Sequence, residues 1–130
     1  METEQFLPPP EWENPSLVAK PSTIARAGLG VFATQPIRKG KRLADYIGEE
    51  MTHRAFIEKY AGVQQYYYSL RRVNKVIDGH NHKTQNVSHY INESAIPNVM
   101  MKRRGLYALK DIAAGEELFL SYPREYTRCY

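Results

Sequence analysis

Ten tyrosines in 130 residues, bunched at Tyr66-Tyr67-Tyr68 and again at Tyr122 and Tyr126, are the side chains here best suited to shaping a reactive site. Their rings can wall an apolar cleft, and their hydroxyls can hydrogen-bond a polar group held in it. The plainer reading of any single tyrosine is core packing with its hydroxyl at the surface. Gly28-Leu29-Gly30 lets backbone come close to a ligand, with no Cβ in the way, although a lone Gly-x-Gly is more often just a turn. Asp78, His80 and His82 have metal-ligand types, but their spacing lacks a matching second half, and a polar surface turn is the better reading. Cys129 is the single cysteine, which excludes an intrachain disulfide and a cysteine-based zinc cluster.

The elements that must position these residues fit one domain with a modest core. The hydrophobic share of 42% and charged share of 25% are ordinary for a globular chain. No apolar run approaches the roughly 18–20 residues that span a bilayer, and Met1 to Gln5 is acidic and polar, unlike a signal peptide. A reducing intracellular compartment is expected, and the glycosylation-like triplets Asn86-Val87-Ser88 and Asn92-Glu93-Ser94 are then incidental. Four glutamates against one lysine give residues 1–20 a net charge of −3, so the remainder carries +7 of the total of +4. Arg71-Arg72 and Lys102-Arg103-Arg104 hold much of that excess. Such runs are usually solvated strand ends and turns, although they would also suit acidic chromatin or nucleic acid.

Residues 1–21 read as a proline-rich arm, with Phe6 and Trp12 available to pin it to a domain at 22–130; Pro8, Pro9, Pro10, Pro15 and Pro21 each remove a backbone donor. Beyond it the pattern is mostly short strands: 31–33, 42–47, and a pair at 66–70 and 75–78. Thr52 to Tyr60 is the convincing helix, with Thr52 as N-cap and Phe56 and Tyr60 on one face. Phe32-Ala33, Ile37, Gly40 and Leu43 recur 75 residues later as Tyr107-Ala108, Ile112, Gly115 and Leu118. Each copy reads strand, connection closed by a glycine turn, strand. The expected fold is mainly β, built of several small sheets with one short helix.

Four blocks in order resemble the SET-domain protein-lysine methyltransferases over about residues 22–126. They are Ala27-Gly28-Leu29-Gly30-Val31-Phe32-Ala33; Asp45-Tyr46-Ile47-Gly48-Glu49; a long third block from Tyr66-Tyr67-Tyr68-Ser69-Leu70 through Val76-Ile77-Asp78-Gly79 to the run Asn86–Asn98; and Gly115-Glu116-Glu117-Leu118-Phe119-Leu120-Ser121-Tyr122. In style the chain is similar to the compact viral SET proteins, which lack flanking zinc modules. The resemblance implies a C-terminal pseudoknot where the third and fourth blocks meet. It implies S-adenosylmethionine as cofactor, S-adenosylhomocysteine as product, and no metal. It assigns the catalytic role to Tyr122 and the substrate channel to Tyr68, Leu120 and Tyr126. Gly28, Leu29, Gly30, Tyr66, His89, Asn92 and Glu93 would hold the cofactor, with Asn92 at its amino-acid end and the residue after it contacting adenine through backbone. Leu120 stands where the family tunes how many methyls are added.

The partner implied is a histone tail or similar basic peptide, in the nucleus (a host nucleus if the chain is viral), with no membrane and no specific nucleic-acid contact. With only Cys129 available, channel closure by zinc-binding cysteines is not expected, and the aromatic tail, the arm around Trp12 or a second copy in a homodimer would supply the cover. The chain departs from the family pattern at Glu93, where histidine is usual, at His89, where arginine is frequent, and at Ala95, where cysteine is common. These departures keep open a SET fold that binds peptide or chromatin with little or no turnover. A basic nucleic-acid-binding β domain is a third reading, supported by no recognised motif.

Overall fold

The computed structural model describes residues 12–62, 67–71, 73–82, 84–121 and 126–129, and among these residues there are three sheets and one α-helix. In chain order the strands are β1 (Leu17–Pro21), β2 (Leu29–Ala33), β3 (Arg42–Asp45), β4 (Glu49–Met51), β5 (Tyr67–Arg71), β6 (Val76–Asp78), β7 (Asn92–Glu93), β8 (Val99–Lys102), β9 (Gly105–Ala108), β10 (Phe119–Leu120) and β11 (Tyr126–Cys129). The helix α1 (His53–Lys59) follows β4. The architecture is the mainly β one that the sequence implies.

The last five residues of the stretch expected to be an arm are a strand of the domain: β1 pairs antiparallel with β2, Leu17 opposite Ala33 and Pro21 opposite Leu29. Leu17 and Ala19 are buried. Pro15 and Pro21 lie just before and at the end of β1, so neither removes a donor from the middle of the ladder. Trp12 also belongs to the domain, with its indole N–H donating to Thr84 O at 3.1 Å and its ring edge-on to Tyr90. Phe6 lies outside the described residues.

The second sheet runs β3-β9-β8-β10-β7 and the third β11-β5-β6-β4. β10 lies parallel to β7 on one side and to β8 on the other. The connection 94–98 joins those two flanking strands, so it must cross over β10. This is the crossing of third and fourth blocks expected as a pseudoknot. Its ends are held by Ser94 N–H on Leu120 O and Asn98 N–H on Phe119 O, each at 3.0 Å.

The helix begins as expected, with Thr52 Oγ1 accepting from Ala55 N–H at 3.0 Å. Phe56 is buried against Val76 of β6, and Tyr60 stacks beside it. The main core gathers residues from all the sheets, among them Val31, Tyr46, Leu70, Ile91, Leu106 and Leu118.

The internal repeat is a structural one. Gly40 N–H donates to Ala108 O at 2.8 Å, and 75 residues on Gly115 N–H donates to Ala33 O at 2.7 Å. Ala108 N–H returns to Lys41 O and Ala33 N–H to Glu116 O, both at 3.0 Å. Each copy's turn therefore closes on the other copy's strand, which gives a local two-fold relationship within one chain.

Candidate active site

Three asparagines six residues apart in the third block each bind the backbone of a different block. Asn86 is fully buried; its Oδ1 accepts from Ile47 N–H at 2.6 Å and its Nδ2 donates to Ile47 O at 2.8 Å, fixing the second block. Asn92 Nδ2 donates to Leu29 O at 3.2 Å in the first block. Asn98, also buried, accepts from Phe119 N–H at 2.7 Å and donates to Glu117 O at 2.9 Å in the fourth. A primary amide suits this work because it offers a donor and an acceptor to one peptide unit at once. Asn86 and Asn98 were not singled out by sequence reasoning. The signal was the six-residue spacing, which has no meaning until the blocks are seen to converge. Burial also withdraws Asn86 from any glycosylating enzyme that meets the folded protein.

Glu117 closes the first block onto the fourth. Its carboxylate accepts from Ser22 Oγ at 2.7 Å, Thr23 N–H at 2.9 Å, Thr23 Oγ1 at 2.5 Å and Asn92 Nδ2 at 3.3 Å. Burial pushes its carboxyl up, but the bonds from Thr23, Ser22 and Asn92 outweigh burial and hold it below its ordinary value. A Cβ at Gly30 would run into Glu117 Oε2, so a side chain at the second glycine of Gly28-Leu29-Gly30 would displace this carboxylate from its present place. Gly28 differs: its φ is +75° and the space a Cβ would take is open. Its carbonyl accepts from Ser22 N–H at 2.8 Å, closing the loop between β1 and β2.

The other expected site residues fall as follows. Leu29 and Asn92 are half-buried and joined as above, whereas Glu93 is exposed, with its backbone in β7 opposite Leu120. Leu120 is fully buried in the main core. The His89 ring Nε2 lies 2.6 Å from Tyr46 Oη and the rings meet edge to face. Tyr46 in turn lies over Gly79, where a Cβ would meet its hydroxyl at 2.6 Å. Tyr68 and Tyr126 stand on adjacent strands, Tyr68 opposite Arg128 and Tyr126 opposite Leu70. Tyr66 and Tyr122 lie outside the described residues.

Two charged features have structural work. Arg104, from the basic run, donates to Tyr46 O at 2.8 Å and Gly48 O at 3.3 Å and so supports the second block; Lys102 and Arg103 are exposed. Asp78 takes Lys59 Nζ at 2.6 Å, Tyr60 Oη at 2.7 Å and His80 N–H at 3.0 Å. Burial raises its carboxyl, but these partners prevail and set it below its ordinary value. That ties α1 to the third sheet and commits the Asp78 carboxylate to structural partners.

Comparison with known proteins agrees with this geometry. The SET domain profile matches residues 28–123. The chain is 29% identical over 112 residues to the Variant-silencing SET domain-containing protein of Plasmodium falciparum, covering 75% of this chain and 4% of that one. It is 31% identical over 124 residues to an H3 lysine-4 specific histone-lysine N-methyltransferase of Eremothecium gossypii, covering 82% of this chain and 12% of that one. The chain thus spans only a small fraction of these relatives' length. A solved structure of ctPRC2 in an autoinhibited conformation bound to S-adenosylmethionine superposes with a TM-score of 0.65 at 28% identity, over 85% of this chain and 15% of that chain. The four blocks that the three asparagines draw together are those of a SET domain, and the chain belongs to that family.

Proposed function

We propose that this protein transfers a methyl group from S-adenosylmethionine to a lysine of a histone tail or similar basic peptide, at chromatin in the nucleus. The observation that carries the reading is the bond from Asn92 to Leu29 O, next in sequence to Gly28, whose side toward a would-be Cβ is open. These groups suit the amino-acid end of the cofactor: backbone is accessible at Gly28, and Asn92 has a carbonyl oxygen to offer. Tyr66 and His89 would flank it, and Glu93 would meet the adenine through its backbone, since its side chain is exposed. The relatives include several named histone-lysine N-methyltransferases, and one structural neighbour is described as bound to S-adenosylmethionine.

In this reading the cofactor supplies an electrophilic methyl on a sulfonium, and the protein supplies alignment and a dry channel. Tyr68 and Tyr126 wall the channel and Leu120 bounds it from the core side. Desolvation there holds the lysine amine neutral. Tyr122 orients the amine through its hydroxyl. The C-terminal aromatic segment, or a second subunit, keeps water from the channel mouth.

The test is labelled S-adenosylmethionine with core histones. Wild type should label a histone lysine, and Tyr122→Phe should lose about a hundredfold in rate while keeping the cofactor-induced rise in melting temperature. Wild-type turnover by Tyr122→Phe would remove that residue from the catalytic role. The exposed carboxylate of Glu93, where the family usually has histidine, favours a second reading, a SET fold that binds peptide with little turnover. Cofactor binding with no transfer to any histone would support it.

A further inference from the structure

Asn92 has spent its donor end. Its Nδ2 points at Leu29 O (3.2 Å) and at Glu117 Oε2 (3.3 Å). A reversed amide would set its carbonyl oxygen against those two acceptors, one of them an anion, which is repulsive on both sides. The structure therefore fixes which way Asn92 faces: its Oδ1, an acceptor, is the group presented away from Glu117. Glu117 is itself held by Ser22 Oγ on that same Oε2, and on its other oxygen, Oε1, by both the N–H and hydroxyl of Thr23. Without a Cβ at Gly30 the carboxylate can come this close to β2.

We propose that Glu117 is a positioning residue for the α-ammonium of the bound cofactor, acting through Asn92 by locking its amide with the carbonyl oxygen outward. This rests on the cofactor reading above and adds to it the group that orients Asn92. An ammonium has three donors and no acceptor, so an outward carbonyl receives it and an outward amide N–H₂ repels it. Glu117 itself touches no cofactor; its charge enters by biasing one side-chain orientation.

Glu117→Gln separates this role from plain scaffolding, because the isosteric amide can donate and so tolerates a reversed Asn92. Binding is measured by calorimetry with two ligands, S-adenosylhomocysteine and 5′-methylthioadenosine, which shares the adenosyl thioether but lacks the amino-acid end. Glu117→Gln should weaken S-adenosylhomocysteine by about tenfold, the worth of a charge-assisted hydrogen bond, and leave 5′-methylthioadenosine unchanged. In turnover the KM for S-adenosylmethionine should rise with kcat nearly kept. Equal weakening of both ligands, or of neither, would overturn the positioning role while leaving the cofactor reading intact. Failure of the wild type to bind S-adenosylhomocysteine would overturn the cofactor reading and this role with it. Should Glu117→Gln not fold, Ser22→Ala loosens the same carboxylate at the Oε2 that Asn92 shares and should show the same selectivity at about threefold; loss on both ligands alike would count against the idea.

Discussion

Ile37 and Ile112 exchange both backbone hydrogen bonds, N–H to carbonyl in each direction at 2.8 Å. They are the corresponding residues of the two halves of the 75-residue repeat, so the repeat's local two-fold axis passes between them. Both side chains are buried. The pair joins two loops that would otherwise be independent.

Gly40 and Gly115 occupy equivalent places about that axis, with φ of +87° and +85° and open space where a Cβ would go. Substitution by alanine meets no atom, so the cost is that of the left-handed backbone alone, about 1 kcal/mol at each. Urea unfolding of Gly40→Ala, Gly115→Ala and the double variant should give two similar losses that add. A loss confined to one glycine would deny the equivalence.

Asp78 should make the protein acid-sensitive. Its carboxyl is held below the ordinary value of 3.8 in the folded state. The stability it contributes is therefore complete above the unfolded value and drains away as pH falls through the folded one. Asp78→Asn should cost about 2 kcal/mol at neutral pH, and its melting temperature should approach the wild type's as the solution is acidified below about pH 4. A constant gap across that range would show that the ion pair with Lys59 is not the source.

Asn86→Asp keeps the acceptor for Ile47 N–H but turns a carboxylate toward Ile47 O and His82 O, which Nδ2 now serves at 2.8 and 3.2 Å. The expected loss at neutral pH is about 3 kcal/mol. Protonation gives the carboxyl one donor back, so the variant's deficit should shrink on mild acidification. Asn86→Ala, which cannot regain a donor, is the control and should show no such recovery.

The C-terminal segment forms strand β11 on the outer side of β5. Ending the chain after Pro123 leaves β5 with an unpaired edge and removes Tyr126. Methyl transfer should fall by at least about tenfold, and hydrogen exchange in β5 should quicken. Full activity with unchanged solution mass would mean that the tail closes nothing, either within one chain or between two.

Much of this was legible in the sequence, for identifiable reasons. The helix at Thr52 announces itself by a capping hydroxyl and an i, i+4 aromatic pair, which are local signals, and the repeat by glycines whose φ only glycine adopts readily. β1 was obscured because prolines at its two ends resemble those of an arm, and burial of Leu17 and Ala19 depends on a partner strand. At the site, Gly28 and Asn92 were named as candidates through the motif that surrounds them. Glu117 was not, since its four donors come from residues 94, 95 and 25 positions away, and no local pattern encodes such a meeting.

The placement of β10 between β7 and β8 also sets an order of assembly. β7, which carries Asn92 and Glu93, has β10 as its sheet neighbour, and β10 arrives about 26 residues later in the chain. As a nascent or refolding chain acquires structure, Asn92 has no strand to lie against until the fourth block has passed under the 94–98 crossing. Such a closure is slow compared with hairpin formation. The edge that would receive the cofactor is thus completed late, and a transient loss of β10 would dismantle it while the β8–β9 hairpin stayed folded.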